Sequence, residues 1–160
     1  MRKKISTAEF QALAELRYKI RSFLKEGDAA ARLAGLEPQQ YLMLLAVRGL
    51  SPDTPPKIQT FAERLSLKHH SAVELIDRLE AHGYVRRSRG RDDRRRVLVS
   101  LLPRGERLLE DVARHRINEL RSSGHELVRA IDQLLERAPK SDDTNDVAKK
   151  APKRTRGKRR

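Results

Sequence analysis

The chain has 160 residues, of which 36% are charged and 38% hydrophobic, with a net charge of +14. That length supports one domain with a core, and the polar balance predicts thin elements, a tail, or an oligomer that hides apolar surface. With no cysteine in the chain, disulfides, thiol redox sensing and thiolate-ligated zinc are excluded.

Residues 140–160 carry nine Lys and Arg against three Asp, so six of the fourteen charges sit there and eight remain on the rest. Both parts are basic, which makes a polyanion the leading partner. The start, Met1–Ser6, has basic residues but no apolar run of signal-peptide length behind it, and no stretch reads as a membrane span. A cytoplasmic protein is expected.

In chain order, Ser6-Thr-Ala-Glu9 fits a capping box. Phe10, Leu13, Ile20 and Leu24 follow at helical spacing, with Leu16 and Phe23 widening the stripe. Gly27-Asp28 reads as the end of this helix and Ala29–Leu36 as a short loop. Pro38 suits the first turn of the next helix, whose Tyr41–Val47 run is apolar nearly all round, as in the buried centre of a domain. Pro52, Pro55 and Pro56 forbid helix after it. Ile58, Phe61, Ala62 and Leu65 give the following helix an inner face, and Ser66-Leu67 turns into Lys68–Gly83. There Ala72, Val73, Leu75, Ile76 and Leu79 form one side, while His69, His70, Ser71, Glu74 and Arg78 form the other. Gly83 stops the helix as a left-handed cap. Two helices of this length around a tight turn make a helix-turn-helix.

Tyr84–Leu101 then reads as a hairpin of two short strands, with Val85, Val97, Val99 and Leu101 alternating. Its turn is dense in arginine: Arg86, Arg87, Arg89, Arg91, Arg94, Arg95 and Arg96 are opposed only by Asp92 and Asp93. Pro103 opens a long helix over 104–122, with Leu108, Leu109, Val112, Arg116, Ile117 and Leu120 along its apolar edge. Ser122-Ser-Gly124 interrupts it, and Leu127–Leu135 forms a last helix. Beyond Pro139 nothing apolar recurs, and Lys149–Arg160 is a low-complexity basic tail, expected to be disordered and to act as a nonspecific DNA arm.

A polar helix beside a cationic hairpin predicts nucleic-acid contact. Lys68, His69, His70 and Ser71, with Glu74 and Arg78, are the candidate base-edge and phosphate contacts from the helix. Arg89, Arg91, Arg94 and Arg95 are the candidates from the hairpin. The plainer reading, a solvated polar face, is outweighed by the arginines alongside. Neutralising several phosphates would give a log–log salt slope of about −0.9 per phosphate. His82, His115 and His125 lack metal-ligand spacing, so no metal or cofactor is expected. No nucleophile–base pair or glycine-rich phosphate loop appears, so no enzyme is expected either. Tyr41, Met43 and Phe61 read as core rather than as the lining of a cavity.

The element order, together with Leu36–Tyr41, Phe61-Ala-Glu-Arg-Leu65, Leu75–Arg86 and the run Asp93-Arg-Arg95, Val97, Val99, Leu101, Pro103, Gly105, resembles the MarR family of transcription regulators over about residues 6–138. Lys68 stands where that family often has Ser or Thr, Glu74 where a basic residue is common, and Leu102 where Thr is usual. The resemblance implies a mainly α fold (α+β, with one small β-hairpin wing), a winged helix-turn-helix with terminal dimerisation helices. Residues 1–35 and 102–138 would pair protomers, 36–101 would bind DNA, and 139–160 would be the tail. It further implies a homodimer on a pseudo-palindromic operator of double-stranded DNA, with Arg95 in the minor groove braced by Asp93. Members often release DNA when a small-molecule effector enters a pocket, which here would be poor in rings. Two functions therefore stand: a sequence-specific regulator, expected to repress, and an architectural DNA-binding protein with little base preference.

Overall fold

The computed structural model describes residues 4–90 and 96–137. Helix α1 is Thr7–Leu33, α2 Pro38–Arg48, α3 Ile58–Arg64 and α4 His69–Ala81, followed by strands β1 Val85–Arg89 and β2 Val97–Leu101 and by helix α5 Pro103–Arg137. This is the expected mainly helical architecture with one small hairpin.

The core lies where α2, α3, α4 and the hairpin meet. Met43, Leu44, Phe61, Ile76, Leu79 and Val85 are wholly buried there, and Leu36 and Val99 nearly so. Each side chain of this size contributes about 1.5–3 kcal/mol by leaving water. Met43 and Phe61 are thus core, as expected. Antiparallel pairing sets Val85 opposite Leu101, Arg87 opposite Val99 and Arg89 opposite Val97. Among these, Val97 is exposed near the turn, so the alternation of β2 is inward only at Val99 and half-buried at Leu101. A third segment joins the hairpin at one point: Lys57 bridges Leu98, and the Val99 amide donates to the Pro56 carbonyl at 2.9 Å.

Two helix boundaries differ from the sequence reading. Gly27-Asp28 does not end α1, which continues a further turn and a half. Gly27 is buried on the helix face that meets α5, and a Cβ there would lie 3.4 Å from the Arg116 guanidinium. The glycine serves close packing, and the helix accepts its entropic cost of about 1 kcal/mol. The left-handed residue that terminates α1 is Gly35 at φ 81°, with the Leu36 amide returning to the Ala31 carbonyl at 2.9 Å. Likewise Ser122-Ser-Gly124 does not break the last helix. Both serine hydroxyls donate to the Glu119 carbonyl at 3.0 Å, one turn back. Serine can satisfy its own hydroxyl in this way inside a helix, so the polar triplet passes without a turn and α5 runs unbroken for 35 residues.

The start of α5 is welded to the end of α4. The Leu102 amide donates to the Tyr84 carbonyl at 2.9 Å, and the Arg104 guanidinium lies 5.3 Å from the Tyr84 ring while donating to the His82 carbonyl at 3.2 Å. A Cβ on Gly105 would stand 2.3 Å from the Tyr84 carbonyl oxygen. Gly105→Ala is therefore expected to force the helix off the turn and to lower stability by about 1–3 kcal/mol. Chemical denaturation would measure the loss, and an unchanged midpoint would contradict the contact.

Helices α1 and α5 pack antiparallel beside this unit. Small residues of α1, Ala12, Gly27, Ala30 and Ala31, are buried, while Lys19 pairs with Glu126 at 2.6 Å. That pairing lifts the lysine above its ordinary pKa through a hydrogen bond and holds the glutamate below its own. Much of the apolar stripe stays uncovered: Phe10 and Leu24 are 58% exposed and Leu135 65%. Between α1, α2 and α5 a cleft of about 340 Å³ is lined by Phe23, Tyr41, Leu42, Leu45, Arg116 and Ile117. Tyr41 therefore faces a cavity, unlike Met43 and Phe61, and its burial raises the phenol pKa against the opposing charge of Arg116.

Candidate nucleic-acid interface

Helix α4 presents the candidate face because α3 forces its other side inward. After α3 the chain turns at Ser66, which takes φ 53°, and the Leu67 amide closes on the Ala62 carbonyl at 2.8 Å. A non-glycine residue in this region costs about 1–2 kcal/mol, so the geometry of the turn is imposed by packing on both sides. Ser66 does not cap α4. The capping position is Lys68, with no side-chain cap bond, so the first amides of α4 have no side-chain acceptor from the cap. Ala72, Leu75, Ile76 and Leu79 are then buried, while Lys68, His69, His70, Glu74 and Arg78 are exposed and Ser71 half-buried. Of these six, His70, Glu74 and Arg78 follow one another by a turn opposite the buried residues, while Lys68, His69 and Ser71 are set around the amino end of the helix. His69 is the one with a described partner there: its Nδ1 lies 3.2 Å from Gln59 Oε1 of α3.

The hairpin stands against the same helix through one arginine. Arg87, on β1, places Nη2 2.5 Å from Asp77 Oδ1 and Nη1 3.3 Å from Glu80 Oε2, while Nη2 also donates to the Val73 carbonyl at 3.2 Å. Its backbone amide donates to the other Glu80 oxygen at 2.8 Å. A planar fork with donors in fixed directions suits such a bracket, where an ammonium could not serve both carboxylates in the same way. Arg87 is thus committed to holding wing to helix, and it leaves the pool of arginines free to meet phosphate. This clamp was missed in the sequence. Its signal was Asp77 and Glu80, three residues apart on one helix, followed within one short turn by an arginine on a strand.

Of the hairpin candidates, Arg89 is exposed on β1. Arg91, Arg94, Arg95 and the bracing Asp93 lie outside the described residues, as does the basic tail. Among the described residues no group of His, Asp or Glu is arranged to hold a metal ion, and no helix is long and apolar enough to cross a membrane.

The arrangement of a helix-turn-helix with an exposed polar second helix and an adjacent arginine-bearing hairpin is also found in known proteins. Residues 34–96 match the sequence profile of the MarR family. The HTH-type transcriptional regulator SarZ of Staphylococcus epidermidis is 28% identical over 112 residues, covering 68% of this chain and 74% of that one. The transcriptional regulator BldR from Sulfolobus solfataricus superposes with a TM-score of 0.56 at 26% identity, over 83% of this chain and 99% of that one. The fold is also that of a MepR variant from S. aureus bound to an oligodeoxyribonucleotide, with a TM-score of 0.59 and 16% identity over 75% of this chain and 92% of that one.

Proposed function

We propose that the chain is a winged helix DNA-binding transcription regulator of the MarR type, a sequence-specific repressor acting as a homodimer on a pseudo-palindromic operator. The observation that carries this reading is the exposed polar face of α4, bracketed to an arginine-bearing hairpin. Lys68, His69, His70, Ser71, Glu74 and Arg78 contact the major groove, and Arg89, Arg91, Arg94 and Arg95 hold phosphates or the minor groove, with Asp93 bracing Arg95. MepR, which shares the fold, is seen on DNA. Narrow A·T-rich minor grooves attract arginine through their more negative potential.

Residues 1–35 and 102–138 are the dimerising parts around the unit 36–101. The uncovered stripes support this, since Phe10, Leu13, Ile20 and Leu24 of α1 and Val128, Ile131 and Leu135 of α5 are all exposed in the single chain and a second copy would bury them. Such pairing sets two reading helices about one DNA turn apart, ~34 Å. The cleft beside Tyr41 and Arg116 is where a small apolar effector would act on the angle between the two parts.

The test compares affinity for the protein's own upstream region with that for random DNA at physiological salt. A ratio above about a thousand supports the regulator, and a ratio near one replaces it with an architectural DNA-coating protein. Within that assay Arg95→Ala is expected to weaken operator binding by about 1–3 kcal/mol, and unchanged affinity would remove that arginine from the groove.

A further inference from the structure

We propose that Glu74 selects cytosine in each half-site and penalises every other seating of the helix on DNA. The inference rests on the reading above, that α4 lies in the major groove.

Three acids lie on the exposed side of α4: Glu74, Asp77 and Glu80. Two of them are held by Arg87, at 2.5 Å and 3.3 Å. Glu74 is exposed and makes no hydrogen bond or ion pair among the described residues. It sits one turn after His70 and one turn before Arg78, and its side of the helix is opposite the buried Ala72, Leu75, Ile76 and Leu79. A helix seated in the groove by that face brings Glu74 against base edges. The structure therefore engages two acids beside it through Arg87 and leaves this one outward.

An ionised carboxylate only accepts hydrogen bonds. Phosphate offers it nothing but repulsion, so its partner must be a donor on a base edge. Guanine presents two acceptors in the major groove, and thymine an acceptor and a methyl group. Adenine has a donor at N6 but an acceptor at N7 beside it. Cytosine presents the N4 amino group with no acceptor beside it on the same base. Glu74 is thus satisfied by cytosine and faces acceptors elsewhere. On random DNA the same charge opposes binding, which widens the gap between specific and nonspecific complexes.

The experiment is selection of bound duplexes from a random pool by the full chain and by Glu74→Gln, with nonspecific affinity measured on a duplex lacking the enriched motif. An amide matches N6 and N7 of adenine. The expected result is cytosine enriched at one position of each half-site by the wild type, adenine there for the variant, and the remaining positions unchanged. Preference for cytosine over the other bases at that position should be about tenfold or more, and nonspecific affinity should rise several-fold when the charge is lost. The same base enriched at every position by both proteins would overturn the role of Glu74 while leaving the regulator intact. If the wild type enriches no motif at all, the sequence-specific reading falls and this inference falls with it.

Discussion

Arg87→Ala is expected to lower operator affinity by about tenfold, ~1.4 kcal/mol or more, with little loss of fold. The side chain bridges Asp77, Glu80 and the Val73 carbonyl from the first strand of the wing. Its removal releases two carboxylates on the helix proposed to approach phosphates, and it unpins the hairpin from that helix. The effect differs from loss of a phosphate contact in one measurable respect. A residue that neutralises a phosphate contributes about 0.9 to the log–log salt slope, whereas loss of the clamp removes no phosphate contact and should change that slope by far less. Arg87→Lys should recover only part of the affinity, because one ammonium cannot span both acids. A drop in slope of nearly one, with full rescue by lysine, would show that Arg87 meets DNA directly.

Arg116→Ala is expected to lower stability by about 3–5 kcal/mol, the cost of leaving a buried charge pair half-made. Only 6% of this arginine is exposed. It donates to the Phe23 carbonyl at 2.8 Å, lies 4.2 Å over the Phe23 ring and pairs with Glu119. Burial pushes the Glu119 carboxyl up, but hydrogen bonding with Glu26 and Arg116 outweighs it and holds the group below its ordinary pKa. Glu26 moves the opposite way, raised by its hydrogen bond with Glu119 and then by burial. Without the guanidinium these two acids would face one another across α1 and α5. Adding Glu119→Gln to Arg116→Ala should return part of the loss, since the uncompensated acid is then gone. Thermal unfolding of the set decides the matter, and a single variant within about 0.5 kcal/mol of wild type would show the pair to be ornamental.

The central unit was the most legible part of the chain because its periodicities are strong and local. Ala72, Leu75, Ile76 and Leu79 mark the inner face of α4 in the sequence, and Gly83 ends the helix region at φ 69°. The misreadings share one cause. Gly27 and Ser122–Gly124 are helix breakers by local propensity, and tertiary packing overrides them: Arg116 fills the space over the glycine, and the serine hydroxyls return to a carbonyl of their own helix. The apolar edge drawn for the last helix also concealed Arg116, which reaches the Phe23 carbonyl on a helix about ninety positions earlier. In the candidate interface the helix face was visible as polar periodicity. What the pattern hid was the division of labour among arginines: counting charges treats Arg86, Arg87 and Arg89 alike, but only the paired register of the hairpin shows that Arg87 turns back onto Asp77 and Glu80.

The unbroken α5 also works as a beam. At 35 residues it spans about 52 Å, anchored at one end by Gly105 and Arg104 to the turn that follows α4. A tilt of about 5° at the distal end sweeps the anchored end through roughly 4.5 Å, more than the ~3.4 Å that separates neighbouring base pairs. Two such beams crossing in a pair would make the gap between their tips acutely sensitive to the crossing angle, far more than to any adjustment within either tip.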